Sequence, residues 1–218
     1  QRIQQSILPS NDEIKKHLDK VVVFYRPRDI VSGDFYWFHS LGDEILVAAA
    51  DCTGHGVPGA FVSFICYNSL NVCVNEMGLT DPAKILDKTR ELVVDGFGQN
   101  DADLVKDGMD ICLCKINIKT LELEYAGANN PLWFTQENED ANRQRKFIVP
   151  GICEIKADKQ PVGLFENKRP YTNHKTQLKK GDIFYSFTDG FADQFGGEKG
   201  KKLKQPNIIK LIEEVNSL

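Results

Sequence analysis

The six cysteines include no CxxC pair, so the spacing typical of zinc ribbons and dithiol redox sites is missing. Cys52, Cys66, Cys73, Cys112, Cys114 and Cys153 read instead as buried, reduced thiols of a reducing, cytoplasmic compartment, with zinc or disulfides as the alternative. No uninterrupted stretch of 18 apolar residues occurs, and the start carries no signal-like pattern. These residues are therefore not expected to contact or cross a membrane by themselves, although a parent protein anchored elsewhere stays open. Positive charge is not in excess: 27 Lys and Arg against 31 Asp and Glu leave a formal charge of −4, which argues against broad nucleic-acid binding. Internal repeats and low-complexity tracts are absent as well. The chain opens at Gln1 without a methionine and reads as cut from something longer.

What is present fits one sizeable domain, 218 residues of which 41% are hydrophobic. Residues 1–20 read as a polar linker or regulatory helix, broken at Pro9. Its stripe of Ile3, Ile7 and Leu8 suits either an upstream helix or coiled coil, or a frayed terminus. Residues 21–218 form the domain proper, beginning with a strand at Val21–Tyr25 and a loop at Arg26–Ser32. The segment Gly33–Gly56 then holds one aspartate near each end of an apolar run. The midpoint of Asp34 and Asp51 falls between Gly42 and Asp43, a turn-like pair suited to a tight hairpin. Pairing around that turn sets Asp34 opposite Asp51, with Cα atoms roughly 4.5–5.5 Å apart and side chains on one face. Two like charges at that spacing repel, and a divalent cation is the usual compensator.

A long helix follows, with Pro58 in its first turn and Gly78 past its end, and Asp81-Pro82 starts a second helix bearing Leu86, Val93 and Phe97 on one face. ICLCKINIKTLELEYAGA alternates around Lys119-Thr120 as a second hairpin, with both Cys112 and Cys114 expected in the core. LWFT, KFIVP, ICEIK and PVGLF are short strands or punctuated segments, and NEDANRQR is a polar loop. A strand over Ile183–Thr188 ends at Asp189, and a basic, solvated loop, GGEKGKKLKQ, precedes a helix from Pro206. Trp37 and Trp133 read as core packing. The order predicts an α+β protein, a four-layer α-β-β-α sandwich of antiparallel sheets flanked by helices.

Asp34, Asp51 and Asp189 share one context, a strand end beside glycine. That suits a site for hard cations such as Mg²⁺ or Mn²⁺, and no His/Cys set competes. The helix after Asp51 offers free N–H groups at an anion-friendly start. Two metals roughly 3.5–4 Å apart there would suit phosphoryl chemistry.

ILP (7–9), VSGDFYWF (31–38), ADCTGHGVPGAF (50–61), YAGANNPLWF (125–134), PVGL (161–164) and GDIFYSFTDGFAD (181–193) together resemble the bacterial PPM-type serine/threonine phosphatases. Within these the chain is similar to the stage II sporulation protein E and sigma-factor-regulator subgroup. The resemblance implies a β-sandwich flanked by helices, with two Mn²⁺ or Mg²⁺ at one edge and water activated between them attacking phosphoserine or phosphothreonine. It implies that Asp34, Asp51 and Asp189 hold the metals, Asp51 bridging both, and that Cys52 contributes only its backbone carbonyl. Its implied partners are a phosphorylated anti-anti-sigma-type (STAS-like) protein and an upstream sensory domain of the same polypeptide, with a homodimer among the assemblies allowed. The sequence departs from the family in two places. A final strand with an Asp-Asp motif, which supplies a further ligand, is not present, so the domain is expected to be C-terminally incomplete. Asn129 also stands where relatives more often carry histidine.

Lesser candidates have ordinary readings beside them. Asp110 joins the cluster or holds a water, or else caps a turn; Asp193 supports Asp189 or starts a helix. His55 protonates the leaving seryl oxygen or bonds the glycine turn, and Arg28 clamps the phosphate or forms a surface ion pair. His17, His39 and His174 have no cluster. The leading function is a metal-dependent protein serine/threonine phosphatase in a partner-switching pathway. The alternatives are a catalytically silent module that binds a partner, and a hydrolase of small phosphoesters.

Overall fold

The computed structural model describes residues 2–18, 20–97, 107–136, 145–196 and 200–216. Two short helices, α1 (Arg2–Ile7) and α2 (Asn11–Lys15), sit on either side of Pro9, and Ser10 caps α2 by accepting the Glu13 N–H. Strands β1 (Phe35–Leu41) and β2 (Glu44–Cys52) pair in the predicted register, Leu41 opposite Glu44, leaving Gly42 (φ 74°) and Asp43 as the turn. Helix α3 (Gly56–Asn71) runs on into a π-helical turn at Val72–Glu76. Helix α4 (Pro82–Gly96) starts from Asp81, whose carboxylate accepts the Lys84 N–H as an N-cap.

The second half is strand-rich: β3 (Gly108–Asn117), β4 (Glu122–Ala128), β5 (Leu132–Thr135), β6 (Arg145–Val149), β7 (Ile152–Ile155), β8 (Val162–Gly163), β9 (His174–Gln177) and β10 (Phe184–Tyr185). Helix α5 (Asp189–Ala192), the ribbon β11 (Phe195–Gly196) with β12 (Lys201–Lys202), and helix α6 (Gln205–Asn216) complete it. One antiparallel sheet has the order β1-β2-β3-β4-β9, with β8 joined to the start of β3; the other is β10-β5-β7-β6.

Period-two alternation sorts the side chains into layers. Phe35, Trp37, Leu46, Ala48, Ile111 and Leu113 face Val62, Cys66, Leu70, Ile85, Leu86 and Val93 of α3 and α4. Their strand neighbours Ile45, Cys112, Cys114 and Leu123 face the opposite way, onto Leu132, Phe134, Cys153 and Ile155 of the second sheet. The outer face of that sheet carries Trp133 and Ile152, which pack with Ala192 and Ile208 of α5 and α6. Three cores separate four layers, α-β-β-α, as the sequence predicts. All six cysteines are free and buried, and both tryptophans lie in the core.

Two predicted strands change. Val21–Tyr25 forms no ladder among the described residues; it is extended chain whose Val21 and Val23 rest on the inter-sheet core while Val22 is 93% exposed. That half-burial produces a period of two without a hydrogen-bonding neighbour. The strand expected over Ile183–Thr188 shrinks to β10: the Thr135 N–H donates to the Ile183 carbonyl, Phe184 and Tyr185 pair with Phe134 and Trp133, and the chain then turns into α5. Most of NEDANRQR, and Gly197–Lys199 of the basic loop, lie outside the described residues. Gly56–Glu76 is long and apolar enough by composition to cross a membrane, so the expectation holds only for uninterrupted apolar runs; half of the segment is buried inside the fold.

Candidate metal centre

The β-sheet register builds the site. Ala50 points into the helix-facing core, so Asp51, next along β2, falls on the face between the two sheets. The β2–β3 ladder sets Asp51 opposite Asp110, and the β1–β2 ladder, one step beyond its Phe35–Ala50 pair, sets Asp34 on the other side of Asp51. Three aspartates therefore form one row across β1, β2 and β3, at the rim of the first sheet. Asp189, the first residue of α5, enters from the second sheet, and Thr188 before it donates its hydroxyl to Asp34 Oδ2 at 2.8 Å.

Glycine makes the row possible. A Cβ on Gly33 would stand 2.7 Å from the Gly54 carbonyl oxygen and 2.8 Å from that of Cys52; one on Gly59 would stand 2.5 Å from the Gly54 oxygen. The loop carrying Asp34, the turn after Asp51 and the first turn of α3 thus pack backbone against backbone. Gly54 also needs its left-handed φ of 87°.

Burial, followed by the hydroxyl of Thr188 and the neighbouring carboxyls, sets the electrostatics of Asp34, whose pKa is raised overall. Asp51 is pushed up to about 9, first by burial, then by Asp34 and Asp189, with each of which its carboxyl is hydrogen-bonded. Burial also raises Asp110, opposed by a 2.8 Å hydrogen bond from Asn129 Nδ2 and by the charge of Lys159. Among the described residues none of these four carboxylates has a Lys, Arg or His ion pair. No three His, Cys, Asp or Glu side chains among them are posed as a ready chelate. A set of carboxylates plus a backbone carbonyl, crowded and lacking a cation, fits hard divalent ions.

The predicted residues divide accordingly. Asp34, Asp51, Asp189 and Asp110 come together, and the Cys52 carbonyl lies at the same glycine junction, while its thiol is buried in the helix-facing core and pushed well up by that burial. Asp193 does not join them; it pairs with Lys202 at 2.7 Å. His55 is exposed beside Asp29 at 3.6 Å, and Arg28 is exposed with no ion pair among the described residues. Sequence reasoning missed Thr188 and left Asn129 without a role. The TDG and AGANNP motifs held both, and Asn129 takes a left-handed φ of 57° that asparagine tolerates.

This four-layer sandwich is the fold of the PP2C-type phosphatase domains. It superposes with TM-score 0.78 on the SiaA-PP2C domain of Pseudomonas aeruginosa, 28% identical, over 98% of this chain and 78% of that one. The chain belongs to the Stage II sporulation protein E (SpoIIE) family, whose model matches residues 42–217. It is similar to the phosphoserine phosphatase RsbU of Bacillus subtilis (strain 168), 24% identical over 217 residues, and it spans 97% of its own length but 57% of that relative's. The fold also matches RsbX, solved in complex with magnesium, with TM-score 0.55 and 16% identity over 86% of this chain and 81% of that one.

Proposed function

We propose that the chain is a Mn²⁺- or Mg²⁺-dependent protein serine/threonine phosphatase. The observation that carries this reading is the row Asp34–Asp51–Asp110 facing Asp189 between the sheets, with no Lys, Arg or His ion pair to any of the four among the described residues. Asp34, Asp51, Asp189 and the Cys52 carbonyl would hold two divalent ions, with Asp51 shared, and Asp110 beside them. Such ions, when bound, supply positive charge to phosphoryl oxygens and lower the pKa of attacking water. RsbX with magnesium is a relative in fold that supports the choice of ion.

The chain's own residues do the rest. Asp51, which burial and its neighbours favour in the protonated form, would hold the ions as a carboxylate, and Thr188 Oγ1 donates to Asp34 and fixes its carboxylate. The first turn of α3, a helix of 16 residues, packs through Gly59 on Gly54, in the turn that follows Asp51, and its free N–H groups would favour the anionic phosphate. Asn129 orients Asp110 through its amide. His55 and Arg28 are assigned no step. The substrate we propose is a phosphoserine or phosphothreonine on an anti-anti-sigma-like protein, in the reducing cytoplasm that six free thiols suit, with control from an upstream sensory domain.

The test is hydrolysis of p-nitrophenyl phosphate and of a phosphoserine protein of that type with Mn²⁺ or Mg²⁺, compared with Asp34→Asn. Metal-dependent turnover lost in the variant supports the reading. Binding of the phosphoprotein with no turnover under any metal makes the chain a silent module instead. Faster hydrolysis of nucleotides than of phosphoprotein makes it a small-phosphoester hydrolase.

A further inference from the structure

Gln4 has a polar side chain that is only 5% exposed and that the proposed chemistry does not use. Its carboxamide meets the backbone of Ser32 the way a neighbouring strand would. Gln4 Nε2 donates to the Ser32 carbonyl at 2.6 Å, and the Ser32 N–H donates to Gln4 Oε1 at 3.0 Å. Ser32 in turn accepts the Asp34 N–H on its Oγ at 3.0 Å. The same Gln4 nitrogen reaches Ser63 Oγ at 3.3 Å, on α3 one turn beyond Gly59, where the three glycines interlock. One amide of α1 therefore ties together the loop that carries Asp34 and the helix that follows Asp51. A second tie runs alongside, from the Tyr36 hydroxyl to the Pro9 carbonyl at 3.0 Å.

We infer that Gln4 is a positioning residue for Asp34: α1 belongs to the scaffold of the carboxylate row, and its displacement frees the Ser32–Asp34 turn. The inference rests on the metal-site reading above. The physical reason is the cost of an unmade bond. When α1 shifts, Ser32 loses partners for both its N–H and its C=O, and Gln4 leaves a buried amide unpaired. The turn then relaxes toward water, and Asp34 loses its fixed station opposite Asp51.

Gln4→Met in the 218-residue chain tests this, because methionine keeps the volume and removes the amide. Three quantities are read: Mn²⁺ affinity by calorimetry, hydrogen exchange at the Ser32 and Asp34 amides, and Tm. The expected result is Mn²⁺ binding weaker by about fivefold or more, the worth of roughly one net hydrogen bond, with faster exchange at those two amides and a Tm lowered by only about 2–8 °C, the fold itself retained. Unchanged affinity and exchange would overturn the inference, since a merely space-filling glutamine predicts that outcome. Should Gln4→Met fail to fold, Ser32→Ala takes its place. It keeps both backbone bonds to Gln4 and removes only the Oγ that receives the Asp34 N–H, so unchanged Mn²⁺ affinity there breaks the relay. A wild-type chain that binds no Mn²⁺ overturns the metal reading and this inference together, whereas wild-type binding with indifferent variants overturns this inference alone.

Discussion

The two sides of the carboxylate site are built differently. On one side β2 and β3 hold Asp51 and Asp110 at the end of a ladder of nine paired residues, and β1 brings Asp34 to the same row. On the other, Asp189 follows a strand of two residues and opens a helix of four, and Phe191 beside it is 40% exposed. The ladder side is fixed by many backbone bonds and by glycines in contact. The α5 side is held by Phe187 against Trp133, with ring centroids 4.4 Å apart, and by the bond from Thr188 to Asp34. We therefore expect one wall to be rigid and the other to adjust.

Replacing a carboxylate on each wall should separate them. Asp51→Asn removes the group shared with both Asp34 and Asp189, and we expect phosphatase activity to fall by about a thousandfold or more, whatever the Mn²⁺ concentration. Asp189→Asn should weaken metal binding by about ten- to a hundredfold, with activity partly restored by raising Mn²⁺. Steady-state rates over a Mn²⁺ series decide this. Equal, unrescued losses in both variants would erase the distinction between a rigid wall and an adaptable one.

Glycine substitutions carry the comparison into stability. Gly59→Ala puts a methyl group 2.5 Å from a backbone oxygen that cannot move aside, and should cost about 2 kcal/mol or more in chemical denaturation. Gly190→Ala, on the adaptable wall, meets only a side-chain tip, Asp34 Oδ2, at 3.2 Å, and should cost less than about 1 kcal/mol.

Acidity gives a further contrast. Burial and the neighbouring carboxyls push Asp51 up to about 9 in the folded chain without cations, whereas in the unfolded chain it returns to the ordinary aspartate value of about 3.9. Its folded pKa being raised, this group stabilises the fold most at low pH, and the contribution declines as pH rises toward about 9. The Tm of the metal-free wild type should thus fall between pH 5 and roughly 9, and fall less in Asp51→Asn. Mn²⁺ bound by Asp51 would have to displace the carboxyl proton, so its affinity should rise over the same range. A Tm that climbs with pH in the metal-free wild type would contradict the raised Asp51.

The ladder wall was half legible in the sequence. A two-residue turn fixes register on both sides of itself, which is why Gly42-Asp43 sufficed to place Asp34 across from Asp51. Asp110 was not legible in that way, because β2 and β3 pair across two intervening helices and no local turn sets their register. The layers followed from period two, since Cys112 and Cys114 could only face one core while Ile111 and Leu113 faced another. The same period misled at Val21–Tyr25, where alternation reflects a chain lying on a core without a hydrogen-bonding neighbour. Gln4 was invisible for a different reason. A glutamine in a polar helix looks solvated until the fold brings Ser32 and Ser63 to it.

Asp193 supplies the smallest effect and the finest test of the adaptable wall. It lies four residues after Asp189, close enough in sequence to suggest a part in the cluster, yet its carboxylate meets Lys202 with both side chains about half exposed. An exposed pair of that kind is worth roughly 0–1 kcal/mol. Asp193→Asn should accordingly lower stability by less than about 1 kcal/mol, an effect that salt abolishes, and should leave Mn²⁺ affinity where it was. If calorimetry found Mn²⁺ bound more weakly by the variant, the carboxylate would have to leave Lys202 on metal loading, and α5 would have to turn with it. The wall that looks adaptable in its contacts would then be adaptable in its ligands as well.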